Sequence, residues 1–340
     1  LIYFLTGKRL LSYSSAARTM ALDVSTYQWS DEVFDAAGID KHLFSPVAPG
    51  GTIAGTVKPS LAHALGLSPE TKVCTGGMDQ TCCAIGSGIF EGGVCLDVTG
   101  TCQCNIVFSP QPISTQLMLD NYLSLLPGSL PWGHYIFDAA SVGGLLLQWY
   151  RDQLGKYEKE IVAEQQKDFF QYMDDLARDI QTDIMILPQF GSAGNPDLSM
   201  DAWGTITGLT IHTKPEELYK GILEGMAFQM YLAYERMQKL GTTMQRIAVT
   251  GGGAASELTL QIRADVFGME VDSLESAEAG TLGCMLMAAT AVGAYSSMEE
   301  AIKKTVRIKK RYIPDSDMTS YYRKKFENYK HFYEEMHDFH

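Results

Sequence analysis

An aspartate stands directly after a glycine pair that follows a short predicted strand. Residues 72–75 form this strand, and Gly76-Gly77-Met78-Asp79-Gln80 follows it. Because glycine lets the chain turn sharply, the spacing places Asp79 at the N-terminus of the next helix. A carboxylate at that position could cap the helix, or it could act as a general base that removes the proton from a substrate hydroxyl. The motif alone leaves both interpretations open.

A glycine-bearing turn further along could bind phosphate. Thr99-Gly100-Thr101-Cys102 lies between predicted strands at 94–98 and 103–107, which indicates a tight hairpin. Outward-facing backbone N–H groups, together with the Thr101 hydroxyl, could hold a terminal phosphate there. As an isolated pattern the motif is weak, since most Gly-Thr hairpins serve only as turns.

A second turn, Thr250-Gly251-Gly252-Gly253-Ala254, lies between a predicted strand at 246–250 and a predicted helix at 256–267. A backbone without side chains lets a nucleotide approach closely, and the helix N-terminus offers free N–H groups. The turn is neither a Walker A loop nor a complete Gly-x-Gly-x-x-Gly motif. A plain strand-to-helix turn explains one glycine more easily than three.

Other candidate residues have a structural interpretation. The stretch Glu278-Ala279-Gly280-Thr281-Leu282-Gly283-Cys284 predicts a helix whose small side chains allow close packing on a sheet. His63, His134 and His212 lack a partner pattern, so we expect them to be structural or surface residues. No Ser/His/Asp arrangement with a nucleophile signature occurs.

Composition narrows the class of protein. The chain has 340 residues and a hydrophobic share of 46%, enough for two globular domains. No window approaches the roughly eighteen consecutive apolar residues of a membrane span, and the net charge of −13 argues against a nucleic-acid surface. The seven cysteines lie mostly in apolar or small-residue runs, which favours reduced thiols in a cytoplasmic enzyme. Cys102 and Cys104 lack a second pair at zinc spacing, so no metal site is expected there.

The elements that must position these residues alternate along the chain. Apolar runs of strand length, glycine-rich turns and long helical patterns predict an α/β architecture. A further strand is expected at 135–139, and the long loop at 190–203 is typical of a functional or interfacial segment. Thr213 is the expected N-cap of the helix that begins near Pro215. The other predicted helices lie at 2–6, 31–37, 59–65, 145–154, 215–240, 279–294 and 318–339.

Together these motifs resemble the FGGY carbohydrate kinases, with the xylulokinase-like pentulose kinases as the nearest match. The four glycine-containing stretches occur in the order and approximate spacing of that family, and the sequences between them are similar as well. The matching segments include Leu5-Thr6-Gly7-Lys8, the stretches 15–23 and 204–209, Glu217-Leu218, Ile222–Gly225, and GGGAASELTLQIRADVFG at 251–268. Gly221, Cys102 and Trp203 depart from the usual family residues, and Cys102 removes a possible hydroxyl contact.

The resemblance implies two actin-like, ribonuclease-H-like lobes that bind ATP and a sugar in the cleft between them. Residues 1–90 would be the C-terminal part of the first, sugar-binding lobe, and 91–340 the second, nucleotide-binding lobe with a terminal helix. ATP and Mg²⁺ are the implied cofactors, and Asp79 would be the base for direct in-line transfer to a sugar or sugar-alcohol hydroxyl. The remaining implied site residues are Gln80 for the sugar, Gly100 and Thr101 for the terminal phosphates, and Gly251, Gly252, Gly253 and Ala254 for adenosine.

One family motif is missing from these residues. The family opens with an Asp-x-Gly-Thr phosphate loop whose aspartate helps to hold magnesium, and the chain contains no such loop ahead of residue 79. The chain also opens in a helical pattern without an initiator methionine, so we expect an incomplete first lobe and a fragment that binds adenine nucleotides weakly without phosphorylating a sugar. The apolar face of residues 1–5 would favour self-association, and a homodimer is possible.

Two classes of function remain open on this reading. One is a kinase whose N-terminal part lies outside the given sequence, and the other is a nucleotide-binding or interaction module that naturally lacks catalysis. An in-frame Asp-x-Gly-Thr upstream of Leu1 would favour the kinase. The seventy-kilodalton heat-shock ATPases share the implied fold, but they lack the text at 76–80 and 204–225.

Overall fold

The computed structural model describes residues 1–337 except 131, 141, 192, 195, 198, 200 and 201. The helices are α1 (Ile2–Thr6), α2 (Tyr13–Ala17), α3 (Asp31–Ala37), α4 (Pro59–Leu65), α5 (Asp79–Gly86), α6 (Thr115–Asp120), α7 (Gly144–Trp149), α8 (Lys156–Gln165), α9 (Phe169–Ala177), α10 (Pro215–Gln238), α11 (Glu257–Phe267), α12 (Ala279–Ala291), α13 (Met298–Thr305) and α14 (Ser316–His337). The strands are β1 (Leu11–Ser12), β2 (Leu22–Asp23), β3 (Gln28–Trp29), β4 (Val47–Ala48), β5 (Ile53–Thr56), β6 (Lys72–Cys74), β7 (Gly93–Thr99), β8 (Gln103–Ser109), β9 (Ser124–Pro127), β10 (His134–Ala140), β11 (Met185–Leu187), β12 (Thr205–Thr207), β13 (Met244–Thr250), β14 (Glu270–Leu274) and β15 (Ile308–Tyr312).

A seven-stranded mixed sheet is the centre of residues 93–312. Its strand order is β15-β14-β13-β7-β8-β10-β9. Strand β13 pairs in parallel with both β7 and β14, whereas β7 and β8 form the antiparallel hairpin expected from the Thr-Gly-Thr-Cys turn. Because β7 and β13 are parallel neighbours, their carboxyl ends, and the two glycine turns that follow them, meet at one edge of the sheet.

The long helix α10 begins at Pro215, as the sequence indicates, but its N-cap lies one residue later than predicted. The predicted N-cap Thr213 instead accepts a hydrogen bond from the Thr210 N–H at 2.8 Å and closes the preceding turn. Lys214 occupies the N-cap, its backbone N–H donates to Glu217 Oε2 at 2.7 Å, and Pro215 is the first helical residue. The prediction of Thr213 as N-cap was therefore wrong, because the local turn uses its hydroxyl.

The terminal helix α14 is fixed to α10 by a buried polar contact. Lys325 Nζ lies 2.5 Å from Glu224 Oε2, and the Tyr322 hydroxyl donates to Glu224 Oε1 at 3.0 Å. Glu224 is 1% exposed and Lys325 is 8% exposed. Burying these two charges is tolerated because each has a partner of opposite charge or a hydrogen-bond partner.

Residues 1–90 contain much smaller sheets than the rest of the chain. They form three two-stranded pairs, β1-β4, β2-β3 and β5-β6. The largest apolar core extends from Cys95 to Tyr329 and takes no buried member from residues 1–90. At the start of the chain, Leu1 and Phe4 are exposed, whereas Ile2 and Leu5 are half-buried, so the apolar face expected there is exposed only in part.

Most predicted elements occur within a few residues of their expected places. The helix predicted at 145–154 divides into α7 and a π-helical turn, Tyr150–Leu154. The loop predicted at 190–203 falls partly outside the described residues. No helix among the described residues is both long and apolar enough to span a membrane.

Candidate active site

Asp79 is the first residue of α5, directly after the turn that leaves β6. The side chain is exposed, and its Oδ1 accepts the Gln80 backbone N–H at 2.8 Å. The N-cap position belongs to Met78, whose side chain makes no capping bond. Among the described side chains none donates to the second carboxylate oxygen of Asp79. The carboxylate therefore does not cap α5 from the N-cap position, although one oxygen engages the first turn.

A buried hydroxyl cluster holds the turn that carries Asp79. The Met78 N–H donates to Ser14 Oγ at 3.0 Å, and Ser129 Oγ lies 3.3 Å from Ser14 Oγ and 2.7 Å from Thr81 Oγ1. A Cβ placed on Gly77 would overlap Ser129 Oγ, so this position accepts only glycine without a shift. Sequence reasoning identified the glycine but missed the two serines, which come from distant segments.

Helix α12 packs directly against α5 and brings its first turn close to Asp79. A Cβ on Gly86 would overlap the Ala279 carbonyl oxygen, and a Cβ on Gly283 would overlap the Cys82 carbonyl oxygen. The small residues of 278–284 thus permit close packing, as expected. They pack against a helix, however, and the predicted sheet partner was wrong.

These elements line an open cavity of about 600 Å³ beside Asp79. The cavity brings together the ends of α5, β7, β13 and the turn that precedes α12. Its two carboxylates, among the described lining residues, are Asp79 and Glu278, and its wall also includes Val98, Thr250 and Gly251. Of the predicted site residues, the cavity thus unites Asp79 with Gly251. Gln80, Gly100, Thr101, Gly252, Gly253 and Ala254 do not line it.

The glycine turn after β13 packs on the end of β7 with two of its three glycines. Gly251 has φ 88°, and a Cβ on it would lie 2.5 Å from the Thr99 carbonyl oxygen. A Cβ on Gly253 would overlap the Thr99 side chain, whereas a Cβ on Gly252 would meet no atom within 4 Å. Ala254 follows in the same short 3-10 turn. Gly252 is therefore the member of the turn that faces open space.

The hairpin tip at Gly100 and Thr101 is held by the start of α7. Gly143 N–H donates to the Thr101 carbonyl at 2.9 Å, and Gly144 N–H donates to the Gly100 carbonyl at 2.8 Å. A Cβ on Gly143 would lie 2.9 Å from the Cys102 carbonyl carbon. Sequence reasoning missed this glycine pair, although two glycines in front of an apolar helical pattern are a detectable signal of close backbone approach.

A buried ion pair fixes the end of β7 against α11. Arg263 Nη1 lies 2.5 Å from Asp97 Oδ2, and both side chains are at most 1% exposed. Thr99 Oγ1 donates to Asp97 Oδ1 at 2.8 Å and accepts from Arg263 Nη2 at 2.8 Å. Burial raises the pKa of Asp97, and the Arg263 charge opposes that rise. Losing one partner of such a pair typically costs about 3–5 kcal/mol, so the pair stabilises the packing of β7 on α11, the two elements next to the glycine turns.

The remaining predicted residues have identifiable places. Gln80 is half-buried beside Asp79, and its Oε1 is buried without a hydrogen-bond partner among the described residues. His134 is buried and contacts the Val24 carbonyl through Nε2 at 2.8 Å, which is a structural role. Within the described part of the chain, no group of three or more His, Cys, Asp or Glu side chains is placed to hold a metal ion.

Solved structures that superpose on this chain identify its fold. A xylulose kinase from Lactobacillus acidophilus superposes with a TM-score of 0.88 at 24% identity, covering 98% of this chain and 66% of that one. A gluconate kinase from the same organism gives a TM-score of 0.88 at 24% identity over 99% of this chain. The fold is the α/β, actin-like fold of the sugar kinases, which confirms the predicted fold class.

Residues 1–86 match the N-terminal domain of the FGGY family of carbohydrate kinases, and residues 96–292 match its C-terminal domain. The chain belongs to this family. A xylulose kinase of Staphylococcus epidermidis is 24% identical over 336 residues, which are 98% of this chain and 65% of that protein. A glycerol kinase of Caldanaerobacter subterraneus subsp. tengcongensis is 27% identical over 323 residues, which are 92% of this chain and 61% of that protein. The chain thus spans less than two thirds of the length of these relatives.

Proposed function

We propose that the protein phosphorylates a hydroxyl group of a sugar or sugar alcohol with ATP as the donor. The observation that carries this proposal is the shared cavity, which places the Asp79 carboxylate and the Gly251 turn on the walls of one space. Membership of a carbohydrate kinase family supports it. Relatives named for xylulose, gluconate and glycerol differ in their acceptor, so the proposal is limited to a small polyhydroxylated substrate.

The nucleotide would bind along the turn at 251–254 and the hairpin at 99–102. Gly251 and Gly253 pack on β7, and this leaves the Gly252 backbone open to a ligand. The turn leads into α11, whose N-terminal N–H groups favour a negative charge nearby. Gly100 and Thr101 would hold the terminal phosphates, since the α7 glycines already bind the hairpin carbonyls and fix its geometry.

Asp79 would act as the base. Its carboxylate would accept the proton of the substrate hydroxyl while that oxygen attacks the γ-phosphorus in line and the bond to ADP breaks. Such transfer depends mainly on alignment and on neutralising charge. Gln80, the next residue of α5, would contact the sugar.

Magnesium would be held mostly by the nucleotide phosphates. Mg²⁺ usually keeps several waters and binds through one or two carboxylates in phosphate sites. Because Asp79 would serve as the base, Glu278 is the carboxylate on the described cavity wall that remains available to the ion, which fits that mode better than an all-protein cage. The ion supplies charge neutralisation at the phosphates when bound.

We also propose the cellular compartment, the lobe boundaries and the oligomeric state of the protein. The seven cysteines all lie in described positions and are free thiols, which supports a reducing compartment such as the cytoplasm. The division into lobes at 1–90 and 91–340 remains our assignment, and so does the possible homodimer.

The experiment that tests the nucleotide site is calorimetric titration with Mg·ADP. Gly252→Val is expected to weaken ADP binding at least tenfold, because its side chain enters the open space that the ligand would occupy. A Cβ at this position would meet no protein atom within 4 Å, so we expect the free energy of unfolding to remain close to wild type. Val292→Ala, a truncation at an exposed position beyond α12, serves as a control that should leave ADP binding unchanged. Equal binding heats for wild type and Gly252→Val would exclude the site.

A further inference from the structure

Two cysteines that the proposed chemistry does not use lie side by side on the cavity wall. Cys82 on α5 and Cys284 on α12 both line the cavity that contains Asp79. A Cβ on Gly77 would lie 3.1 Å from Cys82 Sγ, and a Cβ on the adjacent Gly76 would lie 3.7 Å from Cys284 Sγ. Both sulfur atoms therefore lie beside the same two-residue turn.

The helix crossing explains why the thiols meet. Gly283 lets the α12 backbone touch the Cys82 carbonyl, and Cys284 is the next residue of α12. Cys82 also lies three residues after Asp79, so both occupy the same face of α5. The pair is thus held by close backbone packing.

The two thiols have different environments. Cys82 is 2% exposed, whereas Cys284 is exposed. Interaction with Cys82 lowers the pKa of the Cys284 thiol, and interaction with Cys284, together with burial, raises the pKa of the Cys82 thiol. Since the thiolate is the nucleophilic form, Cys284 is the reactive and accessible member, and Cys82 retains its proton.

We propose that Cys284 and Cys82 are a peroxide-sensitive modification site that forms a disulfide between α12 and α5 beside Asp79. The Cys284 thiolate attacks one peroxide oxygen, the O–O bond breaks, and the released hydroxide takes a proton to become water. The Cys82 sulfur then attacks the sulfenic acid of Cys284, and its thiol proton leaves with the sulfenic oxygen as a second water. Two thiols and one hydrogen peroxide thus give one disulfide and two waters.

The disulfide would join the helix that begins with Asp79 to the helix that follows Glu278. Oxidation would therefore fix the separation of the two cavity carboxylates, and a thiol reductant would restore the starting state. The modification itself does not depend on the proposed phosphotransfer, so either one can fail alone.

The test is peptide mapping by mass spectrometry after a stoichiometric dose of hydrogen peroxide, with free thiols blocked and no reductant. In the wild-type chain we expect a Cys82–Cys284 linked peptide, the loss of two of the seven free thiols, and recovery with dithiothreitol. Cys83→Ser is the matched control on the same helix and cavity wall, and it should give the same linked peptide. Because Cys82 and Cys83 are adjacent and lie in one proteolytic peptide, this variant also shows which of the two forms the cross-link.

The single replacements complete the experiment. Cys284→Ser should abolish the cross-link, and Cys82→Ser should leave a sulfenic acid on Cys284 that dimedone traps. The proposal would be overturned if the wild-type thiols stayed reduced, if Cys284 oxidised without a cross-link, or if Cys83 or Cys74 were the main partner. Each of these results can be obtained with the wild-type chain alone, so the proposal can be overturned even if a variant fails to fold.

Discussion

The position of Asp79 depends on small uncharged neighbours. Ser14, Thr81 and Ser129 form a buried hydroxyl cluster beneath the turn, and Gly77 fits against Ser129 Oγ because it has no side chain. The cluster satisfies the Met78 N–H, which would otherwise be an unpaired donor at the start of α5. The turn is thus held by sterics and hydrogen bonds together.

Gly77→Ala should therefore destabilise the protein, whereas Gly76→Ala should not. The first Cβ overlaps Ser129 Oγ, and overpacking of this kind costs about 1–3 kcal/mol. The second Cβ would have its nearest neighbour, Cys284 Sγ, at an ordinary 3.7 Å. Urea unfolding of both variants measures the difference. Identical midpoints for the two alanine variants would show that the turn is not tightly packed.

At this scale the sequence is informative only where the signal is local. The start of a helix at Asp79 and a turn at 251–253 follow from glycine and the neighbouring apolar patterns. Ser14 and Ser129 are separated by 115 residues, and nothing local to either marks them as partners. The same limit applies to Cys82 and Cys284, which meet only because two helices cross.

At the scale of helices and strands, a sequence pattern can predict that an element packs closely without specifying its packing partner. A stripe of small side chains at 278–284 correctly predicts close packing, but it does not specify whether a sheet or a helix lies opposite. The hairpin at 99–102 can be predicted from its strands and turn. Its hydrogen bonds to the start of α7 cannot be predicted without the strand order of the sheet. Parallel pairing of β7 with β13 is the decisive feature, because it brings both glycine turns to one edge.

Strand stability should differ sharply between the two parts of the chain. β6 pairs with β5 in a two-stranded sheet, whereas β13 has a partner on each side within the seven-stranded sheet and contributes Ile247 and Val249 to the largest core. Isolated strand pairs are marginal, so amides of 72–74 should exchange much faster than those of 246–250. Hydrogen exchange followed by mass spectrometry checks this. Equal, high protection in both strands would contradict this expectation.

In the molecule as a whole, the cavity lies where the two parts of the chain meet. Asp79 and α5 come from the first part, and β7, β13 and α12 come from the second. A smaller apolar cluster that includes Cys82, Ile85 and Leu286 joins α5 to α12 behind this cavity. In the proposed function, Asp79 would be the base on one side of this cavity and the glycine turn would hold the nucleotide on the other, an arrangement that suits phosphoryl transfer between two bound substrates.

The fold class was predictable because several weak motifs in a fixed order are jointly specific, and the solved structures confirm it. The identity of the acceptor was not predictable, since only Asp79 and Gln80 among the described residues are assigned to it. The expectation of an incomplete first lobe stays a prediction, and an upstream Asp-x-Gly-Thr in the same reading frame would support it.

The most direct test of the central claim is the turnover of the Asp79→Asn variant. It is measured in an active form of the protein, which is one that releases ADP when a sugar is added. Asparagine keeps the size of the side chain but cannot take the proton, so kcat should fall about 10²–10⁴-fold while the affinity for Mg·ADP stays near wild type. Glu278→Gln removes the other cavity carboxylate and should lower kcat far less. Turnover of Asp79→Asn within a few-fold of wild type, or no sugar-dependent ADP release from any form of the protein, would contradict the account.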